Sequence, residues 1–298
     1  MNAAIDETLL WLHRDRADVL ARAAQAFLET RDPGAARLTA GQSRAVDELV
    51  ALANDGNAGA GLLTAPAGLG KTLVRTAVRQ RLAPERCATV VVESCLLDFD
   101  DLLLEILSQL RGERIASARL PGRYERIAEF KATLVADVVA GGRHLVLLLD
   151  DAERADAGTL DAIGALMNLS SDRQAYVVPI LIGQPSLRQT LGRLPVLRQR
   201  IGAQFTLAPL DAIDTGAYIE ARLEARGLDS SRVLDPALPA RLHEASGGVP
   251  RTLNACCRHA LLHAARRGSG VATTTDLDAA RRAMPEAGPD ATHLMLGH

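Results

Sequence analysis

A chain of 298 residues, 48% of them hydrophobic, is long enough to bury at least one sizeable core and reads as globular. Its formal net charge of −2 excludes a global basic field that would draw it onto nucleic acid or an anionic membrane, so any such contact must be local. Cys87, Cys95, Cys256 and Cys257 form no C-x-x-C pair and no zinc spacing with histidine, and no apolar run approaches the length of a membrane span or a signal core. Buried free thiols in a reducing cytoplasm are the expectation, with no membrane insertion.

In chain order, residues 6 to 30 place Leu9, Leu12, Val19, Leu20, Ala23 and Phe27 at helical spacing before a break at Asp32-Pro33-Gly34, which predicts a helical appendage over residues 1–36. Thr39 is an N-cap for a helix carrying Ala45, Val46, Leu49 and Leu52. Strands are predicted at 61–65, 88–93, 144–149, 175–182 and 203–207, with helices between them. Short apolar runs alternating with helices predict an α/β fold, a parallel five-stranded sheet flanked by helices, over residues 37–209. After Pro209 the strands stop; helices near 211–226, 236–245, 250–267 and 275–283 predict a small all-helical domain over 210–285 and a frayed tail over 286–298.

The chemistry starts in "LLTAPAGLGKTLV". Ala65, Pro66, Ala67, Gly68, Leu69, Gly70, Lys71 and Thr72 come one residue short of the pattern G-x-x-x-x-G-K-[ST], with Ala65 where the first glycine belongs. Glycines in such a loop turn backbone N–H groups toward a polyphosphate, and the helix that follows adds its positive end. Lys71 would neutralise the outer phosphates of ATP and the Thr72 hydroxyl would hold Mg2+. Thirty-two arginines stand against two lysines in this chain, so a lysine between Gly70 and Thr72 marks a place where a compact ammonium fits and a guanidinium does not. Lys131, on a predicted helix, reads as a surface residue.

"LVLLLDD" ends a buried strand on Asp150 and Asp151. Asp150 is read as a Mg2+ ligand and Asp151 as the residue that orients or deprotonates an attacking water, a place more often held by Glu; Glu153 is a weaker substitute, and two acidic helix caps are the plainer alternative. Gln184, just past the fourth strand, is placed to bond a terminal phosphate or the water, or else to cap the next helix. Arg193, Arg198 and Arg200 follow, of which one near a subunit edge would reach a neighbour's nucleotide. In "SGGVPRTLN", Arg251 sits in a first helical turn after Pro250, where a cation opposes the helix dipole and calls for an anion nearby.

Together "APAGLGKT", "LVLLLDDAE", "LIGQPSLRQTL", "LRQRI", "APLDAIDTGAYIEARL" and "SGGVPRTLN" resemble the AAA+ ATPases of the general secretion pathway protein A (ExeA-like) group over roughly residues 38 to 270, and transposition helper ATPases look like close relatives. The resemblance implies a P-loop (AAA+) fold with a helical lid, Walker A at 65–72, Walker B at 145–150, sensor 1 at Gln184, an arginine finger at Arg200 and sensor 2 at Arg251. It also implies ATP hydrolysis at subunit interfaces of a ring or filament, with a protein partner or DNA on that assembly. Gln42, in "LTAGQSRAV", resembles the adenine-reading glutamine of some helicases and is kept as an adenine contact. Ala65 and Asp151 depart from the family pattern and leave a non-hydrolysing ATP switch as the alternative.

Overall fold

The computed structural model describes residues 17–28, 38–57, 59–170 and 175–283. They fall into two compact units, one built on residues 30–208 and the other on residues 1–29 together with 209–298.

The first unit is organised by five parallel strands: β1 (Ala60–Thr64), β2 (Cys87–Val92), β3 (His144–Leu149), β4 (Val177–Gly183) and β5 (Ile201–Thr206), in spatial order β2-β3-β4-β1-β5. The three central strands are buried along their whole length, which is why they read in sequence as unbroken apolar runs. The outer strands alternate, most clearly β5, where every second residue is exposed. Each strand lies within two residues of its predicted span. β5 starts earlier than predicted because Ala60 N already donates to the Arg200 carbonyl at 2.7 Å, so pairing begins at Ile201.

After a helical stretch over residues 17–25 (α1), which belongs to the other unit, the sheet is covered by α2 (Ala40–Asp55), α3 (Lys71–Arg81), α4 (Phe99–Arg111), α5 (Arg123–Thr133), α6 (Ala157–Leu166), α7 (Ser186–Gly192) and α8 (Pro195–Gln199). Thr39 caps α2 as predicted, Asp98 caps α4 and Asp156 caps α6, each accepting from a backbone N–H three residues on. Leu103, Ile106, Phe130, Leu147, Leu160 and Leu181 are completely buried in one cluster against the strands.

The second unit is helical: α9 (Ala212–Glu224), α10 (Ser230–Val233), α11 (Leu238–Ser246), α12 (Pro250–Arg266) and α13 (Thr274–Ala283). Here the structure corrects the expectation of a separate appendage over 1–36. Leu20, Ala23 and Phe27 lie in one buried cluster with Ile219, Leu223, Leu253 and Leu261, so the described part of the N-terminal helix completes the core of the C-terminal helices. Arg222 seals the junction, donating from Nε to the Ala26 carbonyl at 2.7 Å and from Nη2 to the Leu28 carbonyl at 2.8 Å. The remainder of the predicted appendage and the predicted tail at 286–298 lie outside the described residues.

Candidate functional site

β1 runs directly into the loop 65–70. Ala65 N donates to the Gly183 carbonyl at 3.0 Å, which extends the β1–β4 ladder by one residue and buries the Ala65 methyl. Among the described residues Asp151 is the one non-glycine with positive φ, so Ala65 keeps ordinary backbone geometry and needs no glycine's conformational freedom. The turns fall at Gly68 (φ 84°) and Gly70 (φ 85°), and Leu69 between them is buried and anchors the loop. Pro66 and Ala67 are exposed at its tip. The first turn of α3 has no acidic residue and no side-chain cap, which leaves its backbone N–H groups directed at whatever the loop encloses. Lys71 Nζ lies over the loop, donating to the carbonyls of Ala65 at 2.9 Å and Pro66 at 3.3 Å.

Gln42 has a role the sequence reading missed. Its Oε1 accepts from Thr39 N at 3.0 Å and its backbone N–H donates to Thr39 Oγ1 at 3.2 Å, a capping box, while Nε2 donates to the Leu69 carbonyl at 2.9 Å. At 4% exposure this amide is spent on holding the loop 65–70, not turned out to read a base. A β-carbon on Gly70 would lie 2.5 Å from that Nε2, so both the positive φ and the close approach require glycine. The pattern T-x-x-Q at 39–42 was the available signal for the box.

Because β4 lies between β3 and β1, the segments that follow all three strands meet at one sheet edge. Thr72 Oγ1 donates to Asp150 Oδ2 at 3.3 Å, joining the two expected Mg2+ ligands across 78 residues of sequence. Asp150 is buried, and burial pushes its carboxyl above the usual range; the Arg75 guanidinium opposes this, as do the Asp151 N–H and the Thr72 hydroxyl, while the Asp151 carboxylate adds to the rise. Arg75, absent from the sequence reading, follows Thr72 by one helical turn and places Nη1 3.2 Å from Asp150 Oδ2. The neighbouring Cys95 thiol is pushed up to about 12 by burial and then by the charges of Asp150, Asp151 and Glu153, so it stays protonated beside the acids.

Asp151 stands at φ 50°, ψ 39°, a left-handed conformation that aspartate tolerates better than most side chains. Glu153 Oε2 accepts from the Gln184 backbone N–H at 3.0 Å and links the turn after β3 to the end of β4. The Gln184 side chain is exposed at this edge.

Arg200 and Arg251 are carried by other elements. Arg200 precedes β5 at the amino-terminal end of the strands, about 15 Å from the phosphate loop by strand length, and its side chain bonds Asn168. Arg193 and Arg198 are exposed on the same stretch. Arg251 belongs to the helical unit, exposed in the first turn of α12 behind Pro250. The preceding glycines are both left-handed, with φ 58° at Gly247 and 70° at Gly248, and a β-carbon on Gly248 would meet the Leu210 carbonyl at 2.0 Å.

No group of three or more His, Cys, Asp or Glu among the described residues is arranged to cage a metal. The donors present, one hydroxyl and one carboxylate beside a glycine-lined anion cradle, fit Mg2+, which keeps waters and takes further ligands from phosphate. Among the described residues no helix is long and apolar enough to cross a membrane.

Residues 54–191 match the AAA domain family. The chain is 36% identical over 211 residues to general secretion pathway protein A of Aeromonas hydrophila, an alignment covering 70% of this chain and 37% of that relative. The chain thus spans little more than a third of that protein's length. The Aeropyrum pernix ORC2 protein, in a structure of its ADPNP-ADP complexes, shares the fold with a TM-score of 0.65 at 17% identity, covering 86% of this chain and 70% of its own. Drosophila ORC bound to DNA aligns with a TM-score of 0.63 at 16% identity, covering 90% of this chain and 66% of its own.

Proposed function

We propose that this chain, whose residues 54–191 match the AAA domain family and which is similar to general secretion pathway protein A, binds ATP with Mg2+ and hydrolyses its terminal phosphoanhydride bond to switch a self-assembled ring or filament. The observation that carries this reading is the Thr72–Asp150 contact, which brings the phosphate loop and the acidic strand end to one point. In the proposed mechanism the N–H groups from Gly68 to Thr72 bind phosphate oxygens, and Lys71 exchanges the loop carbonyls for them. Thr72 and Asp150 would hold Mg2+, which when bound would neutralise charge developing on the phosphate oxygens. Asp151 accepts the proton of the attacking water, and Gln184 orients that water or the terminal phosphate.

Arg200 stands at the far end of its own strands, which supports a role toward the nucleotide of a second copy. Hydrolysis then depends on assembly. Phosphate release per chain is expected to rise with protein concentration and to fall by about 100-fold or more in Lys71→Ala and Asp150→Asn. A wild-type protein that bound ATP yet turned over no faster than these variants would be a nucleotide switch instead of an enzyme. DNA is the second partner reading, since Drosophila ORC, which shares the fold, is seen bound to DNA. ATP-stimulated duplex binding that weakens steeply with salt would support it, and no binding at low salt would remove it.

A further inference from the structure

Arg75 lies on α3 with its side chain only 10% exposed and reaches two acids at once. Its Nη1 is 3.2 Å from Asp150 Oδ2, and its Nη2 is 3.4 Å from Oε1 of Glu93, the residue just past β2, whose side chain is 72% exposed. Asp150 Oδ2 also receives the Thr72 hydroxyl. One carboxylate oxygen therefore serves the guanidinium and the hydroxyl at the point where a divalent cation would draw its ligands. A guanidinium cannot shed its charge at any ordinary pH, and a dication brought to the same oxygen repels it. Arg75 must give way, and Glu93 already holds its other nitrogen. Rotation about that retained contact moves Nη1 off Asp150 without leaving the charge unpaired.

Resting on the reading that Thr72 and Asp150 hold Mg2+, we propose that Arg75 is a metal-exchange arm: it occupies the Asp150 carboxylate in the metal-free state and passes to Glu93 when a divalent cation arrives. Arg75 competes with the cation and Glu93 favours the cation-bound arrangement. Arg75 is thus a positioning residue acting through Asp150, and it sets how strongly nucleotide binding depends on the metal.

The test is equilibrium binding of a fluorescent ATP analogue to the full chain, once with EDTA and once with saturating MgCl2, read as the ratio of the two dissociation constants. Complexation of Mg2+ by free nucleotide is common to all variants and cancels between them. Glu93→Gln, an exposed change that leaves the fold intact, is expected to lower this ratio about threefold, the scale of a partly exposed ion pair. Arg75→Met is expected to raise it about tenfold, because the competitor is gone. The double variant Arg75→Met/Glu93→Gln should match Arg75→Met, since Glu93 acts only through Arg75.

A Glu93→Gln ratio equal to or above wild type overturns the arm, as does a double variant in which the Glu93 effect persists. Should Arg75→Met fail to fold, the Glu93→Gln ratio decides alone. A wild-type protein that binds the analogue equally with and without Mg2+ refutes the cation site itself. A Mg2+-dependent wild type with unresponsive variants refutes only the arm.

Discussion

Gln42 Nε2 donates a 2.9 Å hydrogen bond to the carbonyl of Leu69, 27 residues further along the chain, so the first turn of α2 grips the glycine loop 65–70 from behind. The same side chain closes the capping box with Thr39. Gln42→Ala leaves the Leu69 carbonyl and the Thr39 N–H without their partner and is expected to cost about 1–3 kcal/mol, lowering the melting temperature by several degrees. It should also weaken ATP binding, because the loop loses its preset shape. Gln42→Glu puts a carboxylate oxygen against the Leu69 carbonyl and should bind nucleotide less well than Gln42→Ala. Calorimetry and a thermal melt check both, and unchanged affinity in either variant would return Gln42 to a plain helix cap.

The loop's two unusual positions behave oppositely. Gly70→Ala must adopt φ 85° and push its methyl into the Gln42 amide, so it should lose at least about 1–2 kcal/mol of stability and most nucleotide affinity. Ala65→Gly, which restores the family's first glycine, should gain no turnover and lose about 1 kcal/mol, because Ala65 is a buried, paired extension of β1. Phosphate release and urea unfolding of the two variants decide the matter. Faster turnover by Ala65→Gly would show that the missing glycine does limit the enzyme.

Asp151 holds a left-handed backbone that a glycine adopts freely. Asp151→Gly is therefore expected to stabilise the protein by about 0.5–1 kcal/mol while abolishing phosphate release. Asp151→Asn keeps the backbone preference and should leave stability near wild type with the same loss of turnover. A destabilised Asp151→Gly would mean that the carboxylate, not the backbone, is what this position contributes to folding.

Asp276 is fully buried and surrounded by donors: His263 Nδ1 at 2.8 Å, Arg267 Nη2 at 2.8 Å, and Thr273 N and Oγ1 at 2.9 and 2.8 Å. Burial by itself would raise its carboxyl, but the bonds from Arg267, His263 and Thr273 win and hold it at about 2, below the ordinary 3.8. A depressed carboxyl contributes stability that is complete above its unfolded value and is lost as pH falls through its folded value. The shift amounts to about 2 kcal/mol at neutral pH, vanishing between about pH 4 and pH 2. Denaturant unfolding of Asp276→Asn should show that deficit at pH 7 and a shrinking one below pH 4. A gap that stays constant down to the lowest pH at which the fold survives would contradict it.

Much of this was legible before any coordinates. Lys71 stood out among arginines, and the five apolar runs located the strands to within two residues. Thr39 announces α2, and T-x-x-Q spells its box with Gln42, but the bond from that glutamine to Leu69 has no signature in the sequence. Arg75 carried no signal of its own, since one arginine among 32 is conspicuous only when Asp150 faces it. Leu20 and Phe27 spelled a helix but could not say which core they would enter, because an apolar face records that it must be buried and not against what.

The sequence by itself determined the element types, the alternation of strands and helices that makes a parallel sheet, and the chemical kinds of group in the loop 65–72 and at the end of β3, because periodicity and residue chemistry are local properties. The strand order was decided only in three dimensions. Setting β4 between β3 and β1 brings Thr72 to Asp150, gives Arg75 its two acids and leaves Arg200 at the opposite end of the sheet. Such pairings depend on which strand ends become neighbours, and that follows from burying both faces of the sheet at once, a balance struck across the whole unit and not within any single segment.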